Sequence, residues 1–290
     1  MSTDDLHFRR RETHTQKPSQ GEFWQTVFAY ADTLIRKLRS VGRTDLIGHI
    51  KECHTAELVI TCQNCTRAKV VSNRCEKRWC PICAPRLARE RVEALTWWVA
   101  QLKQPKHVVL TTRNTKKISR SQVHNFKKAL RRLRSQKFAR GWKSGTWAME
   151  VTNEGKGWHL HAHVLVETRW IDAGELARKW GRLVGQDFAI VKVKDARATD
   201  YLQEVSKYVC KSAQLVTWDA QEIADFMDAF AGTRTFGVFG SLQGERDKWK
   251  QFLRSIRSLR NACECGCNRF YVEDARLWQL NKADRRSLRS

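Results

Sequence analysis

No run of about 18 apolar residues occurs anywhere in the 290-residue chain, which leaves no segment able to cross a membrane as a helix. The opening stretch, MSTDDLHFRRRETHTQKPSQ, likewise lacks the apolar block of a secretory signal, so the expected location is the cytoplasm. Acidic residues are scarce: 30 stand against 54 Lys and Arg, a formal net charge of +24. That deficit points to a polyanionic partner, nucleic acid before any other. No internal repeat is visible, and with 41% hydrophobic residues the chain is neither a fibre nor wholly disordered and can bury a core. Twelve tryptophans stand among the charges. Unpaired bases stack on such rings, although any single Trp is more often a core residue. Ten cysteines in a reducing compartment read as metal ligands rather than disulfides.

Residues 1–50 read as a polar tail followed by an amphipathic helix, on which Trp24, Val27, Phe28, Ala31, Ile35 and Leu38 recur at helical spacing. Residues 51–95 form a cysteine-rich module that runs into a basic helix over 85–102. Residues 96–216 alternate between strand and helix patterns. Strands are predicted over 106–113, 146–152, 158–167 and 188–193, and helices over 119–137, 173–184 and 199–214. Residues 217–290 are a C-terminal extension with helix patterns, the glycine-rich stretch RTFGVFGSLQG and the last cysteines. The predicted class is α+β: an antiparallel sheet with helices on one face, preceded by a zinc-ribbon-like module.

In GWHLHAHVLVE, His159, His161 and His163 alternate with Leu160, Ala162, Val164 and Val166, so a strand turns all three imidazoles to one face. Imidazoles two residues apart can converge on one ion. The alternative is the solvent-facing side of an amphipathic strand. In the preceding strand, TWAMEVT, the apolar residues must share the core face with Leu160 and Ala162. If Val151 lies opposite Leu160, Glu150 falls opposite His161. Glu150 is therefore the expected third ligand, with a plain surface glutamate or the use of His159 instead left open. A mixed imidazole and carboxylate set with open positions suits Mg²⁺ or Mn²⁺ rather than structural zinc.

Downstream, TDYLQEVSKYVCKS places Tyr201, Glu204, Tyr208 and Lys211 along one helical face, opposite Leu202, Val205 and Val209. A tyrosine beside a divalent ion can attack phosphorus and store the bond energy as a phosphotyrosine. Glu204 can activate water or a hydroxyl, and Lys211 can neutralise phosphate. A Tyr and Glu one turn apart are also common on surface helices, so the helix gains weight only from its position after the histidine strand.

Two CxxC knuckles, Cys62 with Cys65 and Cys80 with Cys83, are separated by about fourteen residues, close to zinc-ribbon spacing for a four-thiolate structural site. Cys75 is a substitute ligand, and a redox role is the alternative. Arg67, Lys69, Arg74, Lys77, Arg78, Arg86 and Arg89 around the knuckles suggest a surface that contacts DNA. Cys263, Cys265 and Cys267 offer further thiols whose use for a second zinc is left open, with Cys53 or His54 as a candidate partner.

Taken together, the strand HVVLTTR, the motif His161-Ala162-His163 within HLHAHVLV, the motif EVSKYVCK and the upstream run RCEKRWCPICAPR resemble the rolling-circle plasmid replication initiators of the HUH endonuclease superfamily, single-tyrosine class. The resemblance covers residues 62–211. It implies an RRM-like catalytic domain over 96–216 and a divalent ion on the His pair. It also implies Tyr208 as nucleophile in nicking one DNA strand at a plasmid origin, and Glu204 in support of termination by hydrolysis. The implied partners are origin DNA, single-stranded at the nick, and a host helicase and polymerase. Two alternatives remain open at this level: a single-strand transposase or relaxase with the same chemistry, and a zinc-ribbon DNA-binding regulator that forms no covalent adduct.

Overall fold

The computed structural model describes residues 20–103, 105–187, 189–196, 212–245, 247–248, 250–252, 254, 263–267 and 269–274. The chain forms, in order, α1 (Gln20–Ser40), α2 (Thr44–Lys51), β1 (Glu57–Cys62), β2 (Ala68–Ser72), α3 (Ala84–Val99), β3 (Pro105–Thr111), α4 (Arg120–Ser135), β4 (Ser144–Asn153), β5 (Trp158–Glu167), α5 (Ala173–Val184), β6 (Val191–Asp195), α6 (Ala220–Phe230), β7 (Phe236–Gly240) and β8 (Phe270–Asp274). Local signals account for several boundaries. Ser119 and Gln122 close a capping box at the start of α4, and Asp219 and Glu222 do the same for α6. Asp172 caps α5, and Gly185, at φ 70°, ends it in the left-handed conformation.

The larger sheet has the order β6-β3-β5-β4-β7 with every neighbouring pair antiparallel. Strand alternation divides its two faces. Val108 and Leu110 of β3, Met149 and Val151 of β4, and Leu160, Ala162, Val164 and Val166 of β5 are buried on one face beneath α1, α4, α5 and α6. Phe126 of α4 and Trp180 of α5 meet edge-on there at 5.3 Å. The Trp180 indole N–H donates to the Thr111 carbonyl at 2.7 Å, which ties α5 to the end of β3.

The expected helical layer on one face is present, and α3 adds a partial cover on the other. Leu95, Trp98 and Val99 of α3 pack with Ala148 of β4, Leu165 of β5 and Leu242. This leaves the remainder of that second face to the histidines.

A separate three-stranded sheet has the order β2-β1-β8. Two strands from the C-terminal extension cross the expected boundaries. β7, formed by Phe236–Gly240 within the glycine-rich stretch, pairs with β4 and so extends the larger sheet beyond residue 216. β8, from the C-terminal extension, pairs with β1 of the cysteine-rich segment. Neither strand announces itself by a long alternating run, because each has five residues and pairs along one edge.

The cysteine-rich segment is fastened to the larger sheet by Arg78, whose guanidinium donates to the Phe230 carbonyl at 2.8 Å, the Thr233 carbonyl at 3.0 Å and Thr235 Oγ1 at 2.9 Å. Of the basic residues expected to contact DNA from this segment, Arg78 is thus engaged inside the protein. Arg86 pairs with Glu76 and Glu90, while Arg67, in an ion pair with Glu264, stays solvent-exposed. Replacing Arg78 by Ala strands part-buried carbonyls and is expected to cost about 1.5–3 kcal/mol of stability, whereas the exposed Arg89→Ala is expected to cost less than about 0.5 kcal/mol. Thermal denaturation of the two variants checks this, and equal melting temperatures would return Arg78 to the DNA surface.

Candidate functional site

Register builds the site. β4 and β5 pair so that Glu150 faces His161 and Val151 faces Leu160, the arrangement that the shared core face requires. The turn between them has Gly155 at φ 81° and Gly157 at φ 87°. A Cβ on Gly157 would stand 2.7 Å from the Thr115 carbonyl, which is engaged with Trp158 across an isolated bridge. Glycine there permits both the turn and the close approach that start β5 at Trp158.

Glu150 and His163 are buried, at 4% and 3% exposure, and His161 is nearly so. Glu150 Oε2 contacts His161 Nε2 and lies 3.2 Å from His163 Nε2. A carboxylate taken out of water needs positive charge or hydrogen bonds in compensation. Here it is aimed at two imidazole nitrogens, and one ligand atom from each of the three side chains lies within 4.8 Å of the others. These hard and borderline donors can hold a metal ion.

A cleft of about 390 Å³ opens onto this cluster, lined in part by His107, His159, Lys192 and Lys194. His159 joins the cleft wall rather than the three-residue cluster, its ring 5.1 Å from that of His161. Burial, and next the neighbouring His161, hold the His159 imidazole below its ordinary pKa.

Sequence reasoning passed over His107 and the two lysines. On β3, His107 lies opposite Leu165, two residues along from the pair Val109 and His163, so its ring joins the histidine face. His107 Nε2 is 3.1 Å from His163 Nδ1. The contact ties the orientation of the His163 ring to that of His107, and were Nε2 of His163 to bind an ion, its Nδ1–H would have His107 Nε2 as acceptor. On β6 the alternation Val191, Lys192, Val193, Lys194 carries both lysines to the same wall. The signal for all three was strand period two, readable only once β3, β5 and β6 are known to be neighbours.

Tyr208, Glu204 and Lys211, with Tyr201 and Cys210, lie outside the described residues. The chain that follows them is anchored. Leu215 and Trp218 are buried, the Trp218 indole N–H donates to the Asn153 carbonyl at 3.0 Å, and Lys37 of α1 donates to the carbonyls of Val216 and Trp218.

The cysteines correct the expected ribbon. Cys62 and Cys65 do not meet Cys80 and Cys83. One tetrad is Cys53, Cys75, Cys80 and Cys83, and the other is Cys62, Cys65, Cys263 and Cys265. The reason is the β1–β2 hairpin. Cys62 and Cys65 occupy its tip, whereas Cys53 precedes it and Cys75 follows it, and strands of five residues span about 17 Å. Sequence spacing alone does not show that a hairpin stands between the knuckles.

In the first tetrad Cys53, Cys80 and Cys83 are buried, with Cys83 Sγ at 3.5 Å from Cys53 Sγ and 3.7 Å from Cys75 Sγ. The Cys80 thiol, hydrogen-bonded to Cys83, holds the Cys83 pKa down to about 5, while burial pushes Cys53 up to about 11. No disulfide joins the described cysteines, and this tetrad can hold zinc.

A family model described as "Replication protein" matches residues 67–254, well over half of the chain. No curated protein and no solved structure gives a significant match. The matched span takes in the larger sheet, the Glu150, His161 and His163 cluster and the segment EVSKYVCK. The chain therefore belongs to the plasmid replication-protein family, as a rolling-circle replication initiator.

Proposed function

We propose that the protein nicks one strand of its plasmid origin through a tyrosine nucleophile, Tyr208, and later rejoins or hydrolyses the strand to end the replication cycle. The observation that carries this reading is the convergence of Glu150 with His161 and His163, the two histidines lining a cleft that Lys192 and Lys194 also wall. Glu150, His161 and His163 would hold a divalent ion, Mg²⁺ or Mn²⁺ from their donor chemistry, which would supply Lewis acidity to the scissile phosphodiester. The protein's own groups do the rest. The two lysines attract and orient the backbone phosphates, and His107 keeps His163 in one tautomer and one orientation.

In the nicking step the Tyr208 oxygen bonds to phosphorus and the bond from phosphorus to the 3′ oxygen breaks. The product is a 5′-phosphotyrosine and a 3′-hydroxyl, which receives a proton equal to the one the phenol lost. The free hydroxyl primes synthesis. Glu204 accepts a proton from water or a hydroxyl in the terminating transfer, and Lys211 offsets phosphate charge. The cysteine tetrad of Cys53, Cys75, Cys80 and Cys83 takes zinc in a structural role, since four thiolates leave no open position.

Single-stranded DNA needs a path to the cleft. Near the end of β5, Trp170 is 72% exposed and lines a groove of about 610 Å³ with Lys103, Lys143 and Arg169. An open indole among cations is the chemistry that stacks an unpaired base and holds its phosphate. No helix among the described residues is long and apolar enough to cross a membrane.

His161→Ala and His163→Ala are expected to abolish nicking while leaving most duplex affinity, which rests on distributed charge. His107→Ala is expected to weaken activation by Mn²⁺ about 10–100-fold, with activity recovering at saturating ion. Nicking titrated against Mn²⁺ distinguishes the two classes. If His107→Ala is as dead as His163→Ala at every ion concentration, its assigned positioning role is wrong.

Tyr208→Phe is expected to eliminate the covalent protein–DNA adduct on a denaturing gel, and Tyr201→Phe to leave it. Glu204→Ala should form the adduct and release it slowly, so that it accumulates. Peptide mapping that finds DNA on Tyr201 would overturn the nucleophile assignment.

Trp170→Ala is expected to weaken single-stranded oligonucleotide binding by about 1–3 kcal/mol with no change in melting temperature. Fluorescence titration measures it, and unchanged affinity would remove the groove from the path of the strand.

A further inference from the structure

We propose that Cys62, Cys65, Cys263 and Cys265 bind a second zinc ion, which clasps together the two stretches of chain that flank the replication-protein region. Each of these cysteines lies outside residues 67–254, two before and two after. The inference does not depend on the nicking chemistry.

The sulfur positions favour a metal. Cys62 Sγ is 3.7 Å from Cys265 Sγ, and Cys65 Sγ is 3.2 Å from Cys263 Sγ. All four sulfurs lie within 4.8 Å of one another. A disulfide requires about 2.05 Å, whereas four sulfurs at about 2.3 Å from a tetrahedral zinc stand about 3.8 Å apart.

The backbone on both sides is shaped as a turn around its sulfurs. At the hairpin tip the Cys62 N–H donates to the Arg67 carbonyl at 2.9 Å and the Thr66 N–H to the Cys62 carbonyl at 3.1 Å, with Thr66 at φ 58°. Opposite, the Cys263 N–H donates to the Cys267 carbonyl at 3.2 Å and the Gly266 N–H to the Cys263 carbonyl at 2.8 Å, with Gly266 at φ 79°. A non-glycine residue held at positive φ is a strained conformation that surrounding structure must stabilise.

The sheet that carries the turns also needs a staple. β8 pairs with β1 from Cys62 opposite Phe270 to Leu58 opposite Asp274, and the Gln63 N–H donates to the Arg269 carbonyl at 3.1 Å. Yet Leu58, Val70, Tyr271 and Val272 are 43–61% exposed, so these strands bury little apolar surface. Among the described residues the buried apolar side chains of this sheet are few, Val59 and Cys62 of β1, and small modules with so little core use a metal or disulfides in addition. Arg67 and Glu264 form an ion pair between the two turns, but both are solvent-exposed and add little. Zinc would displace the thiol protons to solvent and join segments 198 residues apart in sequence.

The test uses the full chain purified under reducing conditions, with zinc counted per chain by elemental mass spectrometry. Cys263→Ser/Cys265→Ser is expected to lower the zinc content by one ion per chain and to make the C-terminal segment cleave faster under limited trypsin digestion. An unchanged far-UV circular dichroism spectrum with a cooperative thermal transition reports that the larger sheet is intact. An unchanged zinc content in the folded variant would overturn the clasp. If the variant fails to fold, zinc-edge X-ray absorption and non-reducing peptide mapping of the unaltered protein decide. Two ions per chain with all-sulfur shells at about 2.3 Å support the clasp. A single ion, or Cys62 and Cys65 recovered in disulfides with Cys263 and Cys265, overturns it.

Discussion

The pairing of β4 with β5 is the constraint on which the rest of the molecule depends. Because side chains alternate with period two, a slip of one residue would carry Glu150 from beside His161 to a position facing the helices, and Val151 into the cleft. Several contacts hold the register from outside the pair. The Thr115–Trp158 bridge fixes where β5 begins, the Trp218 indole holds the Asn153 carbonyl at the end of β4, and Asn153 Nδ2 donates to Glu222 Oε1 at 2.5 Å. The same alternation that buries Leu160, Ala162 and Val164 under the helices therefore delivers three histidines to the other face.

That other face has to satisfy two opposed demands. The Glu150, His161 and His163 cluster lies against an open cleft, while a sheet face exposed along its whole length would leave Ala148 and Leu165 in water. α3 resolves the conflict by covering one end with Leu95, Trp98 and Val99, and it stops short of the cleft. α3 begins directly after Cys83, its N-cap residue and a member of the Cys53, Cys75, Cys80 and Cys83 tetrad, so the cysteine-rich segment runs straight into the cover over the histidine face. Arg78 binds the same segment to the end of α6 and to the approach to β7.

Much of the larger sheet was legible because its signals are local. The alternation in HLHAHVLV gave both the strand and the histidine face, and the demand for a common core face placed Glu150 opposite His161. α5 could be bounded to the residue, since Asp172 and Gly185 mark its ends. What could not be read depends on neighbours distant in sequence. His107 looks like an ordinary strand residue until β3 lies beside β5, and Lys192 and Lys194 look like a solvated edge until β6 lies beside β3. The cysteines are the clearest case. Spacing joined Cys62 and Cys65 to Cys80 and Cys83, but the hairpin between them and the return of β8 to β1 divide the thiols into two sets. Arg78 and Arg86 were read as DNA contacts because charge in a sequence carries no record of the carbonyl or carboxylate it will meet.

The central claim is that Glu150, His161 and His163 together hold a divalent ion. Anomalous diffraction from crystals grown with Mn²⁺ tests it most directly. The account predicts one strong anomalous peak in the cleft, in coordinating contact with a carboxylate oxygen of Glu150 and with Nε2 of both His161 and His163, and no peak there in His163→Ala. Density showing these three side chains bonded only to one another at saturating Mn²⁺, with the anomalous signal elsewhere, would contradict it.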